Sequence, residues 1–157
     1  MSVEFELKRD TFFISRNSAY DDIYDYFYKN KTFKGAELFT ICAVIGFINN
    51  KRVPFDRGKD KIKDIRSEYF TSSDLSKLYI IMIKSNDINA ELDNFAEPKF
   101  IKDNFKVIEE YSEAGMRILI EEVFKGNWSG TELTKTYKKY EIDILSYINE
   151  IRNRVPF

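Results

Sequence analysis

None of the 157 residues is a histidine. That removes the side chain that most often serves as a general base near neutral pH, and with it every His-dependent triad and the usual nitrogen ligands of zinc or di-iron. The six glycines form neither Gly-x-Gly-x-x-Gly nor Gly-x-x-x-x-Gly-Lys-Ser/Thr, so no standard phosphate-cradling loop is present. Carboxylates are plentiful: the segment from Asp87 to Glu132 holds eleven acids against five bases, net -6. Within it Glu109 and Glu113 stand one helical turn apart, a spacing that suits a divalent cation held through oxygen. An acidic, solvated helix face is the simpler reading of the same residues. The single cysteine, Cys42, sits among apolar residues without a histidine to activate it and reads as a small buried hydrophobe. No catalytic residue, metal ligand or cofactor site is therefore assigned, and the expectation is a protein that is not an enzyme.

The strongest concentration of positive charge is Lys51 to Arg66, KRVPFDRGKDKIKDIR, in a chain whose net charge is -1. Lys51, Arg52, Arg57, Lys59, Lys61, Lys63 and Arg66 outweigh Asp56, Asp60 and Asp64, seven against three, or +4. A loop through Gly58 followed by a short helix could present these charges to a phosphate backbone. The competing reading is a solvated loop with interleaved aspartates.

These charges have to be carried by something buried. From Ala36 to Ile48 only Glu37, Thr40 and Gly46 interrupt the apolar residues, so a helix here is hydrophobic nearly all round and belongs in the core. It stops at Asn49, Asn50 and Pro54, residues that favour left-handed or extended backbone. Before it, Val3 to Leu7 alternates as a half-buried strand does, and Thr11 to Ser15 follows either as the second strand of a hairpin or as a strand awaiting a partner. A first helix, capped by Ser18, carries Tyr20, Ile23, Tyr24, Phe27 and Tyr28 at the spacing of one buried face. Strand, amphipathic helix and apolar helix in that order weakly suggest a ribbon-helix-helix or helix-turn-helix unit, but Glu4 and Glu6 would face the phosphates. A second core helix runs from a capping Ser72 or Ser73 through Ile83. Residues 86–96 read as a loop or frayed helix, and Pro98 opens a long helix to Lys125, where Gly115 marks a tight helix crossing. Trp128 is expected to plug the end of the bundle. Ser129 and Glu132 form a capping box for a last helix with a stripe from Leu133 to Ile151.

Two blocks resemble a known family. Glu37 to Phe47 with Asn50-Lys51-Arg52-Val53-Pro54-Phe55, and then Glu109-Glu110-Tyr111-Ser112-Glu113-Ala114-Gly115-Met116-Arg117-Ile118-Leu119, are similar to Dnd system-associated protein 4, small proteins linked with bacterial DNA phosphorothioation and its restriction systems. The resemblance covers about a quarter of the chain and implies an accessory role in anti-phage DNA defence, with no catalytic residues to carry over.

The expected fold is mainly α: a single domain, 1–157, of about five helices around the apolar helix, with a small N-terminal β strand or hairpin. Its parts would be a β element over 1–16, a helix-turn-helix-like unit with the basic loop over 18–55, and a helical bundle over 72–151. A core of this size buries roughly two thirds of the unfolded surface, and 43% hydrophobic and 16% aromatic residues argue against general disorder. The N-terminus lacks the apolar run of a signal peptide and no stretch is long enough to span a bilayer. A lone free cysteine suits the reducing cytoplasm. The expected function is an accessory, non-catalytic component of a DNA modification or restriction system that contacts DNA through Lys51, Arg52, Arg57, Lys59, Lys61, Lys63 and Arg66. Expected partners are DNA, other subunits of the system and, as a homodimer, a second copy of the chain. The alternative is a protein-binding adaptor without DNA contact.

Overall fold

A computed structural model describes residues 12–54, 61–85 and 97–152. Along them run β1 (Phe13–Asn17), a 3-10 turn (Ser18–Tyr20), α1 (Asp21–Lys29), α2 (Gly35–Ile48), β2 (Ile62–Arg66), a second 3-10 turn (Ser67–Tyr69), α3 (Ser72–Lys84), α4 (Pro98–Glu122) and α5 (Tyr140–Arg152). This is the mainly α fold expected, with a two-stranded antiparallel sheet near the N-terminus. The Val3 to Leu7 strand, Arg57, Lys59 and the segment 86–96 lie outside the described residues. No helix among the described residues is long and apolar enough to cross a membrane.

The apolar helix α2 is the centre of the core, with Leu38, Phe39, Cys42 and Ala43 all fully buried. Its end follows the Schellman pattern: Asn50 takes φ +51°, Asn50 N–H bonds the Phe47 carbonyl, and Lys51 N–H bonds that of Gly46 at 2.9 Å. Against α2 lies the long helix α4, opened by Pro98 as expected. The two backbones touch. A Cβ at Gly115 would fall 1.7 Å from the Cys42 carbonyl oxygen, and one at Gly46 would fall 2.0 Å from that of Tyr111. Ser112 Oγ donates to the Phe39 carbonyl across the same contact at 3.0 Å.

β1 pairs with β2, from the far side of the basic stretch, with Ile14 opposite Ile65 and Arg16 opposite Lys63. The short helix expected after Gly58 is thus a strand over residues 62–66. The buried Ile14–Ile65 pair and flanking bonds from Ser67 N–H to the Phe12 carbonyl and Ser18 N–H to that of Lys61 decide the matter, because pairing and burial override weak local preference.

Three smaller expectations are also corrected. α3 is capped by Thr71, in a capping box with Asp74, rather than by Ser72 or Ser73. Tyr28 is exposed, unlike the other aromatic residues of its stripe; it lies roughly a quarter turn from the middle of the face formed by Tyr20, Ile23, Tyr24 and Phe27. The last helix begins at Tyr140 instead of Leu133. Ser129 Oγ does accept from Glu132 N–H, but the chain then leaves the helical path, because Leu133 N–H donates to Asp22 Oδ2 at 2.7 Å and Thr134 N–H to the Asn127 carbonyl. Trp128 is half-buried against the core.

Gly46→Ala and Gly115→Ala should each destabilise the fold by about 1–3 kcal/mol or more despite the better helix propensity of alanine. Gly35→Ala, whose Cβ would meet only Tyr24 Cδ1 at 4.0 Å, should be neutral or slightly stabilising; urea midpoints measure all three. Burial alone would raise the Asp22 pKa, but hydrogen bonds from the Lys135 ammonium and Leu133 N–H outweigh it and hold the carboxyl below its usual range. A depressed folded pKa contributes stability that is present above the unfolded value of about 4 and lost as pH falls through the lower folded value. The pair is partly exposed, so the effect should be no more than about 1 kcal/mol. Urea midpoints across that acid range should drop less steeply for Asp22→Asn than for the native protein.

Candidate nucleic-acid interface and the polar seam beneath it

Five of the seven cationic residues singled out in the sequence are described, and all five are exposed. Lys51 follows the end of α2. Arg52 turns back onto α4, where its guanidinium lies 3.6 Å from Glu110 and over the Tyr111 ring at 5.9 Å, while Val53 N–H bonds the Glu110 carbonyl at 3.1 Å. Lys61 and Lys63 project from β2 and its approach. Arg66 closes the strand in an ion pair with Glu68 at 2.6 Å, half-exposed and so worth little to stability. Both ends of the basic stretch therefore return to the middle of α4, the first directly and the second through β1. Arg52 and Arg66 have part of their charge neutralised locally, which leaves Lys51, Lys61 and Lys63 as the cations without an ion-pair partner among the described residues.

The seam that carries β1 is polar and buried. Glu109 accepts the Ser15 N–H, a donor on the strand edge turned away from β2. One turn on, Glu113 Oε1 accepts from Tyr20 Oη at 3.1 Å, Asn17 Nδ2 at 3.4 Å and Arg117 Nη2 at 3.2 Å. Glu113 is only 4% exposed. The solvated acidic face expected here is thus turned inward, and the two carboxylates act as acceptors that fasten a strand edge to a helix, where unpaired buried polar groups would be costly. Among the described residues no group of three or more His, Cys, Asp or Glu side chains is placed to hold a metal ion. Arg16, also buried, donates to Asp21 Oδ1 at 2.7 Å and stacks over the Tyr24 ring at 3.8 Å. Burial, then the nearby Glu113 charge, raises the Tyr20 hydroxyl pKa well above the phenol range.

A mainly α protein whose cationic strand pairs with one that buried carboxylates clamp to the long helix α4 has a surface for contact and a core built for rigidity. The family comparison agrees with the resemblance seen in the two blocks. The chain belongs to the family described as DNA sulphur modification system-associated protein 4, whose model matches residues 25–145. Comparison with curated proteins and with solved structures yields no match. The matched region contains the whole basic stretch, α2 and all of α4.

Burial first, then the Glu113 charge, pushes the Cys42 thiol up out of the reactive range. Cys42 should resist an aromatic disulfide reagent at about pH 8 in the native protein and react fully in urea, as read from the absorbance of the released thiolate.

Proposed function

We propose that this protein is an accessory, non-catalytic component of a DNA sulphur modification system, working in the cytoplasm as a single domain and contacting DNA through Lys51, Arg52, Arg57, Lys59, Lys61, Lys63 and Arg66. The observation that carries the reading is the placement of Lys63 on β2 and Lys61 just before it, with β2 held to α4 through β1, within a chain that belongs to a DNA-modification-associated family. A rigid strand holds its cations at fixed spacing, so little side-chain ordering beyond the lysines themselves opposes binding. The contact is to the phosphate backbone: affinity is electrostatic, weakly sequence-specific and salt-dependent. Other components of the system are the natural protein partners.

A second reading, a protein-binding adaptor without DNA contact, is favoured by α5, where Ile142 and Leu145 are exposed beside a buried face of Tyr140, Ile144 and Ile151. Such an apolar face suits a protein partner better than a phosphate backbone.

Fluorescence anisotropy of a labelled duplex between roughly 50 and 200 mM salt separates the two readings. Binding by the native protein should weaken steeply with salt, and Lys61→Glu with Lys63→Glu should lower affinity and flatten the log–log salt slope by about one unit for each phosphate the variant no longer neutralises. Absence of binding at the lowest salt would overturn the DNA contact. A complex with another component that survives high salt and is broken by Ile142→Asp would then establish the adaptor.

A further inference from the structure

Beside the basic strand lies an open groove of about 220 Å³, formed where the last turn of α1, the start of α2, β2 and the second 3-10 turn meet. That volume is below the ~300–1,000 Å³ of sites that enclose a drug-sized ligand, and it suits one planar ring better than a whole nucleotide. Tyr28 and Tyr69 line it, 67% and 61% exposed. The groove is further lined by Arg16 and Lys63, opposite one another across the sheet, and by Asp25 and Asp64. Gly35, the first residue of α2, also borders it, and Lys34 supplies no side-chain cap to that helix.

This mixture distinguishes between ligands. A phosphate would meet the Asp25 carboxylate, and the one buried cation of the groove, Arg16, is already paired with Asp21. A nucleobase is neutral, has a flat π-face and carries both donors and acceptors on its edge. Exposed tyrosines provide stacking surfaces; carboxylates accept from exocyclic amines, while a lysine or an uncapped helix N–H donates to ring nitrogens and carbonyl oxygens. Gly35 keeps that corner open, and Lys63 belongs to both the groove and the basic strand. A DNA backbone following the cations would pass the groove's mouth.

We propose that this groove takes one unstacked nucleobase of a DNA strand, packed against Tyr28 and Tyr69 and contacted at its edge by Lys63 and Asp25. The proposal rests on the DNA-contact reading and adds the form of DNA preferred: single-stranded, or locally opened so that one base leaves the stack.

The test uses the full chain and three labelled DNAs of the same length, about ten nucleotides, within the range a single small domain covers. These are a single strand, the same strand with abasic sugars replacing its central bases, and a duplex. The native protein should bind the base-bearing strand most tightly. The double variant Tyr28→Ala, Tyr69→Ala should lose roughly ten- to hundredfold on that strand and nothing on the abasic one, while Tyr28→Phe with Tyr69→Phe should restore binding. Both tyrosines are exposed, so folding should survive; far-ultraviolet circular dichroism checks this. Each single Ala variant and Lys63→Gln supply independent readings should the double variant unfold. Equal affinity for all three DNAs, or alanine variants that bind like the native protein, would overturn the groove proposal and leave backbone contact standing. Failure to bind any DNA at low salt would overturn both. Free nucleoside monophosphate should displace the strand only at far higher concentration than the strand itself; displacement at equal concentration would assign the groove to a free nucleotide and overturn the strand.

Discussion

The structure depends on the backbone contact between α2 and α4. Gly46 faces the Tyr111 carbonyl and Gly115 faces the Cys42 carbonyl at distances where no side-chain carbon fits, so the two helices meet without intervening side chains. At such separations Cα–H groups lie against carbonyl oxygens, and the Ser112–Phe39 hydrogen bond adds a polar tie. Close approach fixes the rotation of α4 about its own axis as well as its distance. Once residues 112 and 115 face α2, Glu109 and Glu113 are turned toward β1, and Glu110 toward the loop after α2.

Those carboxylates transmit the helix pair to the surface. A two-stranded sheet is marginal by itself, and its far edge presents backbone donors that need acceptors. Glu109 answers the Ser15 N–H, and Glu113 gathers Asn17, Tyr20 and Arg117. A buried carboxylate is costly when its partners are absent and tolerable when each oxygen is satisfied. The sheet is therefore held in one position by groups that cannot relax cheaply, and β2, entered at Lys61, carries Lys63 outward on that rigid base. Acidic residues of α4 anchor β1 from the interior, and its partner β2 carries Lys63 and Arg66 on the outside.

In this member of a family tied to DNA sulphur modification, the side chains with the most suggestive chemistry are committed to the fold. Histidine is absent, the sole thiol is sealed between helices, and the carboxylates with the most suggestive spacing are occupied in holding the fold. What the described surface offers is contact: cations on an anchored strand, exposed tyrosines beside them and an apolar face on α5.

The sequence by itself determined the elements whose signals are local. An apolar run with Asn49 and Asn50 after it makes α2 and its Schellman end; Pro98 opens α4; Gly115 announces a close crossing. The exposure of Lys51, Arg52, Lys61, Lys63 and Arg66 could also be read directly from their charge. Only the tertiary structure decided that residues 62–66 are a strand, that the chain from Leu133 to Lys139 stays out of helix, and that Glu109 and Glu113 point inward. Each of these is settled by a partner many residues away: Ile14 for Ile65, Asp22 for Leu133, Ser15, Asn17 and Tyr20 for the two glutamates. Periodicity and capping report what a segment can do alone, whereas a buried hydrogen bond to a distant group outweighs the few tenths of a kcal/mol by which most local preferences differ.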